Sequence, residues 1–253
     1  MLAISRLAEI RKMIERDKSV LVSDLAATFG VTEETIRRDL KKLEREGVLA
    51  RVYGGAYSTD GVENDVNVVL RENILVTEKQ VIAQSCLPFI HDGDSFFLDC
   101  STTSLQLAHL LTSYTVTVVT NSLMIAQALA SCANIRLIMI GGKLHKTSMS
   151  FVGENASLML GQYYLDKAFL SCRSLSMSTG VSDSNEAQSA IRRLALSRSN
   201  TAFLLADHTK FGATSFAHIS ELRDFDYLVT DATPDPEWRT YLAQNNVKLV
   251  VNS

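Results

Sequence analysis

At 253 residues the chain is long enough for one small and one full-sized domain. No apolar run approaches the roughly 18 residues of a membrane span and no signal-peptide pattern opens the sequence. The four cysteines, Cys86, Cys100, Cys132 and Cys172, show neither close pairing nor metal-ligand spacing. A cytoplasmic protein with reduced thiols is therefore expected, not a membrane or disulfide-framed one. Lysine and arginine total 25 against 28 acids. Residues 1–57 carry 11 basic and 9 acidic side chains, a balance of +2, and the remainder 14 and 19, a balance of −5. That asymmetry is modest, so any affinity for nucleic acid must come from local clustering and from doubling by oligomerisation.

Leu7, Ile10 and Ile14 recur at helical spacing and predict a packing helix over residues 5–16. A short extended run, 20–22, follows. Ser23 is expected to cap a second helix over 24–29, with Leu25 and Phe29 facing inward; Gly30-Val31 makes the turn, and Thr32 caps a third helix. Glu33 and Glu34 stand in that helix's first turn, where carboxylates suit the positive end of the dipole. Ile36, Leu40 and Leu43 give it one apolar face, leaving Arg37, Arg38, Lys41, Lys42 and Arg45 on the outer surface. Gly47 ends the helix, and residues 48–53 form a β-branched run that Gly54-Gly55 can turn.

Helix, turn, helix and hairpin in this order make a winged helix-turn-helix, a DNA-binding module. The bland alternative, a surface helix with solvated charges, leaves the upstream elements unexplained. Thr35 and Arg38 are the expected base contacts, and Arg37 and Lys41 the phosphate contacts, although rotation of the helix in the groove would exchange these roles. Ser23, Thr32, Lys42, Arg51 and Tyr53 complete the DNA-facing set. Asp39, an acid beside two arginines, reads as an N–H or arginine anchor. The Thr-Ile-Arg-Arg-Asp-Leu core at 35–40, the Leu-Glu-x-x-Gly at 43–47 and Gly-Gly-Ala at 54–56 closely resemble the N-terminal domain of the DeoR family of bacterial sugar-metabolism repressors.

Residues 58–74 are polar and weakly periodic and read as a linker between a first domain, 1–57, and a second, 75–253. Beyond residue 75, strand-like runs (95–98, 116–119, 135–140, 167–170, 201–206, 227–230 and 248–251) alternate with helix-like ones (78–90, 104–111, 123–131, 154–160, 185–198 and 236–244). This alternation predicts a Rossmann-like α/β domain with a largely parallel sheet. In such sheets a ligand sits beyond the carboxyl ends of the strands.

The residues placed there are polar. Asp99 to Ser104 follow the first strand and open a helix, where hydroxyls and backbone N–H groups suit an anion. Thr120-Asn121-Ser122 follow the second strand, Gly141-Gly142 the third, and Asp207 to Gly212 the fifth. Taken singly, each is as well explained by helix capping. These loops resemble those of the DeoR sensor domain, itself similar in fold to ribose-5-phosphate isomerase. The resemblance implies that they surround a phosphorylated sugar: Asp99 accepting from sugar hydroxyls; Ser101, Thr102, Thr103, Ser104 and Asn121, flanked by Thr120 and Ser122, holding phosphate or sugar; Gly141 and Gly142 allowing close approach; Asp207 and Lys210 facing the ligand, Lys210 neutralising charge.

Two positions depart from the family pattern. A glycine of the first loop is Ser101, and Ser171-Cys172-Arg173-Ser174 stands where the family has Gly-Ala-Asp-Gly. Arg173 either offers a fork to a second anionic group or pairs with a nearby acid. His208 could touch a ligand or simply be a bonded loop residue, and the other histidines lack metal spacing. The reading is a DNA-binding repressor of a carbohydrate operon, controlled by a sugar phosphate, acting as a homodimer or homotetramer, with no cofactor, metal or catalytic residue. A sugar-phosphate isomerase and an activator of the same family are the alternatives.

Overall fold

A computed structural model of the protein describes residues 3–58 and 67–252. They divide into two compact units, one ending at Leu75 and the other beginning at Val76. In the first unit α1 (Ala3–Asp17), α2 (Val22–Phe29) and α3 (Glu33–Arg45) close around Ile10, Ile14, Leu25, Ile36, Leu40 and Leu43. A small antiparallel sheet completes it: β1 (Ser19–Leu21), β2 (Ala50–Val52) and β3 (Gly55–Tyr57), in the order β1-β3-β2. The strands pack so closely that a Cβ on Gly55 would lie 2.1 Å from the Val20 carbonyl oxygen, so glycine is required there.

The helix ends follow the local chemistry. Thr32 accepts the Thr35 N–H at 3.4 Å and caps α3. Gly47, at φ +74°, ends it in a Schellman turn, with Gly47 N–H on Glu44 O and Val48 N–H on Leu43 O. The second helix starts earlier than the sequence suggests. Leu21, not Ser23, is its N-cap residue, because the Val22 N–H is already satisfied by the Gly54 carbonyl of the wing. Ser23 lies inside the first turn, bonded to Asp24.

The stretch read as a linker is not uniform. Residues 59–66 lie outside the described residues, while Asn67 caps a short helix, α4 (Val68–Glu72), with Val68 and Leu70 buried. Asn67 N–H bonds Ser19 Oγ at 3.0 Å, so this helix belongs to the first unit.

In the second unit the expected alternation is present: α5 (Val76–Cys86), β4 (Ser95–Leu98), α6 (Thr102–His109), β5 (Val116–Thr120), α7 (Leu123–Leu129) and β6 (Ile135–Met139). A hairpin, β7 (Lys143–His145) and β8 (Ser150–Val152), precedes α8 (Glu154–Leu160) and β9 (Leu165–Ser171). Then come β10 (Ser174–Ser176), β11 (Gly180–Asp183), α9 (Glu186–Ser197), β12 (Ser199–Leu205), β13 (Ala217–Ser220), β14 (Tyr227–Thr230), α10 (Pro236–Gln244) and β15 (Lys248–Val251). The helix expected over 78–90 stops at Cys86, since Pro88 has no N–H to continue it, and a 3₁₀ turn, Leu87–Phe89, follows.

Among the described residues the main sheet has seven parallel strands, in the order β15-β14-β12-β9-β4-β5-β6. Strand residues alternate between two cores. Phe97, Val119, Leu170 and Leu204 pack with α8, α9 and α10, and Phe96, Val118, Phe169 and Phe203 with α5, α6 and α7. Strand order runs one way from β4 through β5 to β6 and the other way from β9, so β4 and β9 flank the switch point where such sheets open a crevice. A second small sheet, β10-β11-β13, stands beyond the end of β9.

One buried ion pair in the first unit has a measurable consequence. Arg6 Nε on α1 lies 2.6 Å from Asp39 Oδ2 on α3, both buried. Asp39→Ala leaves the guanidinium without its partner and is expected to lower the stability of this unit by about 3–5 kcal/mol. Arg6→Met combined with Asp39→Leu should recover most of the loss. Urea unfolding followed by circular dichroism reads this; a loss under about 1 kcal/mol for Asp39→Ala would show the pair to be idle.

Candidate functional site

On the first unit, the outer surface of α3 carries the cations that the sequence places there, and they are not equivalent. Lys41, Lys42 and Arg45 are exposed and have no bonded partner among the described residues. Arg37 turns back on its own helix, to Glu33 at 2.5 Å and Glu34 at 3.9 Å, and Arg38 Nε lies 3.9 Å from Glu34. These are exposed pairs of small energy, so a phosphate can displace them. Arg51 is tied differently: its N–H and Nε both reach the Glu44 carboxylate, clamping β2 to α3. Tyr53, 83% exposed, stands at the tip of the wing. Thr35 is half-buried and hydroxyl-bonded to Thr32 at 3.0 Å. Asp39 faces away from this surface to hold Arg6, as an arginine anchor.

In the second unit, the polar loops converge at the carboxyl end of the sheet, and most of their groups are already engaged. Asp99 is 1% exposed and accepts four hydrogen bonds: Oδ1 from Ser101 N–H (3.0 Å) and Ser104 Oγ (2.7 Å), Oδ2 from Ser171 N–H (2.9 Å) and Arg192 Nε (2.6 Å). Four donors fill the acceptor capacity of a carboxylate. Burial alone would raise its pKa, but Arg192 and these bonds outweigh it and hold Asp99 below its ordinary value. In this conformation Asp99 organises the loop and has no acceptor left for a sugar hydroxyl. Ser101 caps α6 and is bonded to Ser104; Thr120 donates to Leu98 O and receives the Ser122 N–H; Ser122 caps α7. Gly142 is there for packing: at φ +150°, its Cβ would meet Val152 O at 2.8 Å. The Gly141 N–H faces the Met159 sulfur.

Asp207 is likewise turned inward, accepting from the Thr209 N–H and hydroxyl with Lys210 Nζ at 3.6 Å. Burial opposes its ionisation, yet Lys210 and the Thr209 bonds keep its pKa below the usual value. His208 bonds Asp231 at 2.7 Å, which raises its pKa. Cys172 is buried and its thiol is pushed up to about 12, so it is no nucleophile.

The groups that stay open are few. Thr102 and Thr103, at the N-terminus of α6, are 4% and 5% exposed, and their hydroxyls have no partner among the described residues. Asn121 gives its Nδ2 to Phe151 O, leaving Oδ1 buried without a donor. Arg173 is half-buried and without a side-chain partner among the described residues.

Three features are absent from the sequence reading. Arg192, 3% exposed on α9, bridges Asp99 and Asp183, the latter at 2.6 Å, and so ties the switch point to β11. Gln188, one turn earlier, takes the Cys100 thiol on Oε1 at 3.6 Å and leaves Nε2 buried and unpaired. The β7–β8 hairpin closes over the Asn121 loop through Phe151, and His145 bridges Ser148 and Asn185. Gln188, Arg192 and Ala195 recur at the spacing of a buried helix face, the signal that could have found the first two.

A winged helix-turn-helix joined to an α/β unit with a polar crevice at its switch point defines a two-part DNA-binding regulator. Residues 6–62 match the DeoR-like helix-turn-helix domain and residues 75–232 the DeoR C terminal sensor domain. The chain is 39% identical to the uncharacterized HTH-type transcriptional regulator YulB of Bacillus subtilis, over 98% of this chain and 96% of that protein. It is 31% identical to the repressor GlcR of the same organism, over 97% and 95%. It is also 31% identical to the lactose phosphotransferase system repressor of Staphylococcus epidermidis, over 89% and 91%. The chain belongs to the DeoR family of HTH-type transcriptional regulators. Among solved structures, a D-ribose-5-phosphate isomerase in complex with phospho-erythronic acid aligns over 53% of this chain and 52% of that one, at 16% identity and TM-score 0.40. The eIF2B delta of Chaetomium thermophilum aligns over 66% and 60%, at 12% identity and TM-score 0.46. No helix among the described residues is long and apolar enough to cross a membrane.

Arg192→Ala leaves two carboxylates buried together and is expected to lower stability by about 3–5 kcal/mol at neutral pH. Because the folded pKa of Asp99 is depressed, its contribution is complete above the ordinary carboxylate range, about pH 4, and is lost as pH falls through the lower folded value. In Arg192→Ala that contribution is reduced or absent, and protonation of the buried carboxylate relieves the penalty, so the stability gap between the two proteins should narrow as pH falls. Urea midpoints measured from about pH 3 to pH 7 would display the narrowing gap; a gap of the same size at every pH would show that Arg192 does not set the charge of Asp99.

Proposed function

We propose that the protein is a repressor of a carbohydrate-catabolism operon and that a phosphorylated sugar, bound in the crevice beyond β4, β9 and β5, controls its grip on operator DNA. The observation that carries the ligand site is the set of open groups. The hydroxyls of Thr102 and Thr103 stand at the positive end of α6, beside a buried Asn121 acceptor that lacks a donor. A phosphate suits the helix N-terminus, and a sugar hydroxyl suits the orphan acceptor. Lys210, paired with Asp207 at 3.6 Å, stands at the next loop but one. Relatives that include a lactose phosphotransferase system repressor and a putative aga operon transcriptional repressor support a carbohydrate ligand.

The same geometry speaks against the isomerase alternative. Abstracting a carbon-bound proton needs a base with a free lone pair, and Asp99 is fully engaged; Asp207 keeps Oδ2 outside its Thr209 bonds, but Lys210 at 3.6 Å and those bonds hold its pKa below the ordinary value and make it a weak base. We assign residues 75–253 to ligand sensing and to assembly of a homodimer or homotetramer, in the cytoplasm, because one winged helix contacts too little DNA for specific binding alone. By linkage, effector and operator must alter each other's affinity by the same factor.

Two measurements test this reading. Thermal-shift assays on the full chain, with sugars and their phosphates, should show stabilisation by phosphorylated compounds only; a ligand at 100 times its Kd supplies about 2.7 kcal/mol. Stabilisation by an unphosphorylated sugar alone, or catalytic turnover of a sugar phosphate, would defeat the assignment. On DNA, Arg38→Ala should lose sequence discrimination at one position, worth about 1–3 kcal/mol, whereas Lys41→Ala should weaken all duplexes alike and reduce the salt slope by about 1. If both lower affinity uniformly, the division into base and phosphate contacts is wrong.

A further inference from the structure

Arg173 is the residue at the crevice that the proposed sugar-phosphate reading leaves without a task. Leu170 and Cys172 pack into the core shared with α8, α9 and α10, and Phe169 into that shared with α5, α6 and α7. Arg173 lies two residues beyond Ser171, whose N–H donates at 2.9 Å to Asp99 Oδ2 in the loop that opens α6 with Thr102 and Thr103. Arg173 is fixed at its backbone, its N–H donating to Ser182 O at 3.0 Å.

The charges around it are already matched. Arg192 is held by Asp99 and Asp183, and Lys210 faces Asp207. Arg173 is half-buried, always charged, and unpaired among the described residues. A partly desolvated guanidinium is unfavourable unless an anion meets it, and its planar fork suits a two-oxygen acceptor. The phosphate of the proposed effector has its own place at the start of α6, on β4, one strand away from β9. Adjacent strands lie about 4.8 Å apart, a separation that a short carbon chain spans.

We propose that Arg173 binds a second oxyanion, a carboxylate or a second phosphate, so that the effector is a doubly acidic carbohydrate and not a simple sugar monophosphate. This rests on the site assigned under Proposed function. Titration calorimetry on the full chain tests it with matched pairs sharing a carbon skeleton: aldose monophosphates against the corresponding phosphorylated aldonates, and ketose monophosphates against bisphosphates, over four to six carbons. The expected result is at least tenfold tighter binding of the doubly acidic member of a pair. Arg173→Met should erase that preference with the monophosphate affinity unchanged, and Arg173→Lys should restore part of it. Thermal unfolding of the free variants controls for folding. The carboxylate and phosphate arms tell which oxyanion is read.

A monophosphate that binds as well as its acidic partner, or a preference that persists in Arg173→Met, overturns the role of Arg173 and leaves the sugar-phosphate site standing. Binding of no phosphorylated compound overturns both.

Discussion

The second unit depends on one guanidinium. Arg192 is buried and meets two carboxylates, Asp99 at the end of β4 and Asp183 at the end of β11, each at 2.6 Å. Removing three charges from water costs several kcal/mol per ion, and only close geometry with further hydrogen bonds offsets it. Those bonds are present. The other oxygen of Asp99 holds the first turn of α6, its shared oxygen holds the Ser171 N–H at the end of β9, and Asp183 Oδ1 receives the Asn185 N–H at the start of α9. Four chain segments that meet only at the carboxyl edge of the sheet are thereby fixed to one another. The groups left open stand on a frame whose own polar atoms are saturated, the condition for holding a ligand without rearrangement.

The first unit uses the same device on a smaller scale. Asp39 follows Arg38 on α3 but turns inward to Arg6, so the helix that presents cations is keyed to α1 by a buried arginine–aspartate pair. The wing is secured separately, by Arg51 on Glu44 and by the contact that only glycine at position 55 permits. The cations of this unit divide accordingly: Lys41, Lys42 and Arg45 remain open while Arg6 and Arg51 hold structure.

The long elements were legible because their causes are local. Phe96 and Phe97, or Phe169 and Leu170, form continuous apolar runs since both faces of a central parallel strand are covered. The strands of three or four residues at 143–145, 150–152, 174–176, 180–183 and 217–220 carry no such signal. All but the first contain serine, and they exist because tertiary pairing selects them, as in the Ser174–Ser215 and Ser182–Ser215 bonds. Among the candidate residues, place at the carboxyl edge of the sheet was legible and hydrogen-bond partners were not. Asp99 reads as a ligand acceptor until its four donors are seen. Arg192 sits beside exposed Arg193 and looks like half of a solvated pair, although it shares a helix face with Ile191 and Ala195.

The same saturation constrains how the regulator can respond. A ligand shifts an equilibrium only by as much as its affinities for two states differ. Groups locked into the Arg192 network contribute equally to any state that keeps the network, so at the proposed site discrimination falls to the open ones, Thr102, Thr103, Asn121, Gln188 and Arg173. On the DNA side, a balance of only +2 over residues 1–57 gives one winged helix little non-specific attraction. In the proposed oligomer, two such units add their phosphate contacts, and the salt dependence rises with their number. Losing correct spacing between two weakly charged units therefore forfeits about half the contacts at once. How far an effector moves operator occupancy is then bounded by its difference in affinity between the two assembled states, roughly 10⁴-fold for a shift from 1:99 to 99:1.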